Sequence, residues 1–595
     1  MSKVVRIGGA CAFYGDSSVA PTQLIKAGVD YLILDYLAEA TMAAFGGMRK
    51  AGHPVGFATD FTEWVWKENI RELKATGTKI VTNAGGLTPK ACVERMQEIA
   101  REAGLSFKIA YVTGDDIMDR VPEISGHAEM FTGAPFPPKD QIMTVNAYLG
   151  GSPIARALAM GADVVITGRC VDSALTLGIL MHEFGWRADE HDKLSQGSLA
   201  GHVIECGAQG SGGLFTDWEQ VPDWANVGYP IVECHADGSF VVTKPEGTGG
   251  LVNEAVVAEQ ILYEVGDPQA YMLPDVVCDF STVKVKQDGK DRVRVTGAMG
   301  YPPTGKYKVC LTWADGFRCI GFMAVVGRDA VKKAQRQAEA VLERVNGMLR
   351  DKNMAPFRAS RIEVLGSESS YGAHARALDT REVIYKLAVE HDDANGLKPF
   401  MREFDSPTTS MSVGTAGWFG SRAEIRPVMR VWSTTIALDD VPLTISLDGQ
   451  SESMTVTAPE TVFAPEMIVR PPAPAEPKAE ATKEVPLIEL AWARSGDKGD
   501  AFNIGVIARK PEYLPWIRAA LSPDAMMTWF AHEFEGGKNP AVLRYDLPGM
   551  NAVNLHFLDS LGGGQFASLR LDPLAKGKAQ QLLDMPVKVA AGLVR

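Results

Sequence analysis

Lys79-Ile80-Val81-Thr82-Asn83-Ala84-Gly85-Gly86-Leu87-Thr88-Pro89 decides the fold class. A short unbroken apolar run reads as a buried strand. A glycine-rich loop follows it. Residues 90–103 then take helical spacing, with Cys92, Met96, Ile99 and Ala100 on one face. The same order recurs on both sides. Residues 4–8 form an apolar strand ending in Gly8-Gly9, and residues 21–27 a helix closed by Gly28. Residues 31–35 are a buried strand, as are 108–112, ending in Thr113-Gly114-Asp115-Asp116. Residues 163–166 are another, ending in Thr167-Gly168-Arg169. Strand, polar glycine loop and helix in repeated alternation predict an α/β fold with a mainly parallel sheet. In such sheets the carboxyl ends of the strands carry the ligand site.

The pattern changes after Trp218. Residues 231–235 and 240–243 flank Ala236-Asp237-Gly238-Ser239, and 281–285 and 292–296 flank Gln287-Asp288-Gly289, two hairpin signals. Strands at 310–313 and 322–326 and an amphipathic helix over 330–348 follow. Residues from about 230 to 457 therefore read as mixed α+β. Residues 458–486, rich in Pro, Ala, Glu and Lys, read as a semi-extended, exposed linker. They divide a body, 1–457, from a tail, 487–595, for which a small α+β sandwich fits. In the tail, 488–493 and 503–508 read as strands around a polar loop, and 513–521 and 523–532 as helices.

Length and composition bound the function. At about 150 residues per domain, 595 residues suggest roughly four units, and larger domains make two or three equally fair. With 46% hydrophobic and 22% charged residues the chain has ample apolar surface to bury, which excludes overall disorder. A net charge of -13 argues against nucleic acid or an anionic membrane as partner. Eight cysteines without a CxxC pair make a disulfide framework or a zinc ribbon a poor reading. No apolar run is long enough for a membrane span, and Met1-Ser2-Lys3-Val4-Val5 begins no secretory leader. A cytoplasmic setting is the expectation by elimination.

Four stretches carry candidate chemistry. Arg494-Ser495-Gly496-Asp497-Lys498-Gly499-Asp500-Ala501-Phe502-Asn503 places glycines and charges between two strands. Lys498 there can pair with a phosphate or carboxylate, with Ser495 beside it; a solvated hairpin loop is the plainer reading. Gly168-Arg169-Cys170-Val171-Asp172-Ser173 follows a strand directly, so Arg169 can fork onto an anion and Asp172 can serve catalysis or cap a helix. His202, Glu205 and Cys206 precede the glycines Gly207, Gly210, Gly212 and Gly213. His and Glu supply acid–base groups, Cys206 a nucleophile unless it is a buried inert thiol. Gly247, Gly249 and Gly250 feed a helix starting at Glu254, a geometry that suits a pyrophosphate; Asn253 as a simple helix cap is the alternative. Asp35 and Glu39 stand at a strand end, and Glu233 and His235 alternate on a strand.

Ile7-Gly8-Gly9-Ala10, Gly15-Asp16, Leu34-Asp35-Tyr36-Leu37-Ala38-Glu39, Asn83-Ala84-Gly85-Gly86, Gly168-Arg169-Cys170-Val171-Asp172 and Glu205-Cys206-Gly207-Ala208-Gln209 resemble the acyclic terpene utilisation AtuA family. The tail, with Arg494-Ser495-Gly496-Asp497-Lys498-Gly499-Asp500 and Asn503-Ile504-Gly505, resembles the small ferredoxin-like domain often fused behind it. The resemblance implies an acyl-CoA context, with hydratase or carbon–carbon lyase chemistry as candidates, and assigns no residue roles.

The expected activity is addition or removal of water, or cleavage of a C–C bond, on the CoA thioester of a branched or 3-hydroxy acid. Both need a base beside the thioester carbonyl and donors for an enolate oxygen. Glu205 or His202, with Asp172 second, are the candidate bases. The 207–213 and 247–250 backbones are the candidate donors, and Arg169 or Lys498 would hold a carboxylate or CoA phosphate. No cofactor is expected beyond CoA as part of the substrate, and no resident metal. A homo-oligomer is expected from size and enzyme class. Two further readings stay open: a non-catalytic assembly subunit whose tail recruits an enzyme, and a metal-dependent hydrolase or lyase built on Asp35, Glu233 and His235.

Overall fold

The computed structural model describes residues 3–418 and 422–594. Its largest sheet has eleven strands. Their order is Lys284–Gln287, Val293–Thr296, Phe240–Thr243, Ile231–His235, Val4–Gly9, Tyr31–Leu34, Lys79–Thr82, Val164–Ile166, Ile109–Thr113, Leu443–Leu447 and Gln450–Met454. From Val4–Gly9 to Ile109–Thr113 the neighbours run parallel. The outer strands on both sides are antiparallel. Side chains alternate between the two faces. Tyr31, Ile33, Val81 and Val165 pack under the helices Ser152–Ala159, Ala174–Phe184 and His191–Ile204. Leu32, Leu34, Ile80 and Val164 pack under Val19–Lys26, Lys67–Thr76 and Pro89–Glu102. Both faces are covered, which is why these strands read as continuous apolar runs.

The region after residue 230 shares this sheet. The hairpin Ile231–His235/Phe240–Thr243 joins it against Val4–Gly9, and Leu443–Leu447 closes the far side against Ile109–Thr113. The two strands expected at 310–313 and 322–326 are one strand, Lys306–Val326. The polar residues between them stay in register because Ile425–Ala437 flanks one side and Glu382–His391 the other. Against Ile425–Ala437 the register breaks at a bulge between Ala314 and Phe317, with Gly316 at φ +69°. No helix among the described residues is long and apolar enough to cross a membrane.

The C-terminal part forms an antiparallel sheet in the order Ala491–Lys498, Ala501–Ala508, Ala552–Leu558, Ala541–Leu547. The expected polar loop at 494–500 is a correction. Arg494 to Lys498 lie in the strand, with Arg494 opposite Gly505 and Lys498 opposite Ala501. Of these, Arg494, Ser495 and Asp497 are buried because the strand packs against another protein layer, while Lys498 at its end stays half exposed. Gly499, at φ +64°, makes the turn.

That other layer is the helix Glu254–Leu262 and its C-terminal turn. Asn503 donates from Nδ2 to the Leu262 carbonyl at 2.7 Å, and Asn554 to those of Val265 at 2.8 Å and Gly266 at 2.6 Å. A helix end leaves such carbonyls without partners, and the two amides supply them. Gly496 and Gly505 bring the sheet close. A Cβ on Gly496 would lie 2.5 Å from Glu264 Cγ, and one on Gly505 2.4 Å from Leu262 Cβ. Arg509 forks onto Asp217 at 2.6 and 2.7 Å. Residues 458–482 run over the body, pinned where Phe463 N donates to the Pro303 carbonyl and Arg470 pairs with Asp267 at 2.5 Å.

Candidate functional site

The carboxyl ends of the parallel strands deliver Asp35, Asn83, Asp115 and Arg169 to one edge of the sheet. Asn83 fixes the first of these. Its Oδ1 accepts from the Tyr36 N–H at 2.7 Å and its Nδ2 donates to Asp35 Oδ1 at 2.5 Å. Burial pushes the Asp35 carboxyl well above the usual range and Asp172 adds to this, with Arg169 and Asn83 opposing. Asp115 accepts from the Arg169 N–H at 2.8 Å and from Asn146 at 2.9 Å, and burial pushes it up to about 7. Gly168 is glycine because a Cβ would sit 2.3 Å from Asp115 Oδ1.

Arg169 is buried. Its Nη1 donates to the Cys170 carbonyl at 2.6 Å and pairs with Asp172 at 2.5 Å, and its guanidinium lies 4.1 Å over the Tyr148 ring. Tyr148 donates to Glu39 at 2.8 Å. Burial works against the Glu39 charge, but Lys308 and Arg169 outweigh it and hold this carboxylate down at about 2. Lys308, contributed by the Lys306–Val326 strand, also sits 5.1 Å over Tyr148.

The end of the helix His191–Ile204 points His202 and Glu205 at this group. They stand one turn apart, with His202 Nδ1 3.2 Å from Glu205 Oε1. Burial pushes His202 down to about 4, so the ring is neutral at pH 7, and pushes Glu205 well up, with Asp172 adding. Burial and the neighbouring Glu205 raise the Cys206 thiol too, so it is no preformed thiolate. Three buried atoms here have no hydrogen-bond partner: Glu205 Oε2, His202 Nε2 and Arg169 Nε. Buried polar groups are ordinarily satisfied, so these three atoms call for a partner, a water or a ligand, that the chain itself does not supply.

The C-terminal domain closes the group. Lys498, beside the hairpin turn, pairs with Glu264 at 3.2 Å, and Lys576 with Glu264 at 2.9 Å. Burial works against the Glu264 charge, but the two lysines hold it at about 2. Lys576 also donates to the Tyr263 hydroxyl, and its ammonium lies 4.5 Å from that ring on which Arg494 stacks at 4.6 Å. Lys498 acts electrostatically on Asp172, Glu205, His202 and Tyr271, which couples the charges of the two parts into one cluster.

Arg169, Asp172, His202, Glu205, Cys206 and Lys498 therefore come together. Four of the glycines do not serve as expected. The N–H groups of Gly212 and Gly213 bond to the Ala208 carbonyl. Those of Gly249 and Gly250 bond to the carbonyls of Asn226 and Pro222. A Cβ on Gly210 would lie 2.5 Å from the Val203 carbonyl, so Gly210 allows close packing. Gly207, at φ +56°, and Gly247, at φ +76°, make turns. Asn253 caps the helix at Glu254 by accepting from the Val256 N–H at 2.9 Å, which fills the expected anion position. Ser495 is also a packing residue. Its fully buried Oγ donates to the Ala575 carbonyl at 2.6 Å and accepts from the Ala579 N–H at 2.9 Å.

The metal reading meets a plain obstacle. Glu233 pairs with Arg292 at 2.6 Å and Arg6 at 3.4 Å, near the start of the Val4–Gly9 strand. Asp35 lies past the opposite end of the neighbouring strand. Among the described residues no three His, Cys, Asp or Glu side chains gather as metal ligands.

Sequence reasoning missed Glu264, Tyr263, Tyr271, Lys308 and Lys576. None lies in a motif; each reaches the charged cluster through packing of distant segments.

In comparisons with known proteins, the family model described as acyclic terpene utilisation family protein AtuA matches residues 5–447. The model of the AtuA ferredoxin-like domain matches residues 485–588. No curated protein and no solved structure matches.

Proposed function

For this chain, which belongs to the acyclic terpene utilisation AtuA family, we propose acid–base catalysis on a branched acyl-CoA thioester, as a hydratase or dehydratase. The family description ties the chain to acyclic terpene utilisation. The observation that carries the reading is the coupling of two unlike carboxyls in one cluster. Glu205 is buried with one oxygen unpartnered, and Asp172 is a carboxylate held by Arg169. Burial raises the Glu205 carboxyl so that it can carry a proton, while the ion pair with Arg169 holds Asp172 as the proton acceptor, and this divides the acid and base roles.

In the dehydrating direction Asp172 takes a proton from the carbon beside the thioester carbonyl. The C–H electron pair moves onto the carbonyl oxygen as an enolate. The enolate collapses, forms the carbon–carbon double bond and expels the 3-hydroxyl, which leaves as water with the Glu205 proton. Solvent returns the proton from Asp172 to Glu205. Hydration is the reverse. Burial thus makes Glu205 the acid, where the residue types alone suggested a base. His202 buttresses Glu205, and Asn83 and Arg169 fix Asp35 and Asp172.

The test is incubation with branched enoyl-CoA and 3-hydroxyacyl-CoA thioesters, followed by mass. Gain or loss of one water supports the reading. Release of acetyl-CoA moves the activity to a carbon–carbon lyase using the same groups. No mass change and no thermal stabilisation by any thioester overturns it.

A further inference from the structure

Glu264 is held in an unusual way. It follows the helix Glu254–Leu262 in left-handed backbone, at φ +57°, which a residue with a side chain rarely adopts. Facing it, Ala575, which precedes Lys576, is left-handed too, at φ +55°. Backbone of this kind persists only where the surroundings over-determine it, and it gathers at functional sites. The surroundings here are explicit. Asn503 and Asn554 hold the helix end, Gly496 lets the hairpin touch Glu264, and Asp572 accepts from the N–H groups of Lys576 and Gly577, both at 2.8 Å.

The result is one carboxylate between two ammonium groups, with each oxygen assigned. Oε1 takes Lys576 at 2.9 Å and Oε2 takes Lys498 at 3.2 Å. The lysines differ. Lys576 has a second partner in Tyr263, whereas among the described residues Glu264 is the only partner of the Lys498 ammonium. An ammonium carries three donors, so Lys498 keeps two for a ligand. Its side chain is 48% exposed; it pairs with Glu264, and Tyr271, Asp172, Asp497, Glu205 and His202 lie in its electrostatic field.

We propose that Glu264 is a positioning residue that holds the Lys498 ammonium beside the Glu205 and Asp172 cluster, where Lys498 stabilises the enolate oxygen of the bound thioester. This rests on the acyl-thioester reading and deepens it. Gly212, Gly213, Gly249 and Gly250, expected among those donors, are bonded elsewhere, and Lys498 is a positive charge whose field reaches the acid and the base. Such a charge acts on the transition state more than on the ground state, so its loss falls on kcat. The C-terminal domain is then a working part of the site, because it delivers both lysines.

The test uses the full chain with Glu264→Gln, Lys498→Met and Lys498→Arg. The first readout needs no turnover: the rate at which an amine-reactive ester labels Lys498, followed by peptide mass against pH. Glu264→Gln is expected to speed labelling of Lys498 about tenfold at pH 9, as the ammonium loses its counter-ion. The second readout is turnover. Lys498→Met is expected to lower kcat about 100-fold with KM within about threefold, and Lys498→Arg to recover part of it. Equal labelling of Lys498 in wild type and Glu264→Gln overturns the positioning role. Unchanged kcat in Lys498→Met, or a fall in KM-dependent binding alone, overturns the enolate role. Should Lys498→Met fail to fold, Lys498→Arg and the labelling arm carry the decision. If wild type turns over no thioester, the acyl-thioester reading and the enolate role fall with it, and labelling alone decides whether Glu264 holds Lys498.

Discussion

Asn503 Nδ2 donates to the carbonyl oxygen of Leu262 at 2.7 Å, across a separation of 241 residues. This bond closes the helix whose next turn bears Glu264, and it comes from the sheet that bears Lys498. Stability of the domain contact and geometry of the charged cluster therefore depend on the same side chain. Asn503→Ala leaves a buried carbonyl unpartnered and is expected to destabilise the protein by about 1–3 kcal/mol. Urea melts measure it, and proteolysis within 458–482 is expected to quicken in parallel. A variant with wild-type stability shows that water replaces the amide.

Gly496 and Gly499 separate two uses of glycine in one hairpin. A Cβ on Gly496 meets Glu264 Cγ at 2.5 Å and Tyr263 Cε2 at 2.6 Å, whereas one on Gly499 meets nothing within 4 Å but lies at φ +64°. Gly499→Ala is expected to cost about 1–2 kcal/mol by backbone strain alone, with turnover kept. Gly496→Ala is expected to cost about 1–3 kcal/mol by overpacking and to lower turnover as well. Thermal melting with a turnover assay distinguishes them; equal turnover in both variants contradicts the prediction.

His202 predicts an acid limb to stability. Its folded value of about 4 lies below the ordinary 6.5, so the unfolded chain binds the proton more readily. The stability it contributes is present above pH 6.5 and is lost as pH falls towards 4. His556, also pushed down to about 4 by burial, loses in the same window. His202→Gln is expected to flatten part of the decline, by up to about 3 kcal/mol between pH 6.5 and 4. Melts at half-unit intervals measure the slope, and an unchanged slope removes His202 from the account.

Glu205 has the opposite sign. Its folded value is raised, so the stability it contributes is present below the ordinary carboxyl range and is lost as pH rises through the folded value. Glu205→Gln keeps the shape without the charge. It is expected to be more stable than wild type at pH 8, with the gain shrinking at pH 5, while turnover falls at least about 100-fold. Loss of stability at pH 8 would show that the Glu205 charge is paired in the native state.

Much of the frame was legible in the chain. The apolar runs at 31–35, 79–83 and 163–166, each followed by a glycine loop, gave away a covered parallel sheet, because a strand buried on both faces has no polar side to show. The 330–348 periodicity found the helix Ala330–Asp351, and the Asp-Gly turns found both hairpins. The motif residues Arg169, Asp172, Glu205 and Lys498 were visible too, since strand ends and glycine contexts advertise them.

The chain itself set which segments become strands and helices, and therefore which edge of the sheet collects Asp35 and Arg169. Tertiary structure alone decided the rest: that 494–498 is strand and not loop, that the glycines at 210–213 and 249–250 serve packing, and that Glu264 meets two lysines. Local pattern reports the environment of neighbours along the chain. Glu264, Lys498 and Lys576 lie 78 residues or more apart in sequence, and only the burial of one domain's face against another gives their charges a common place to act.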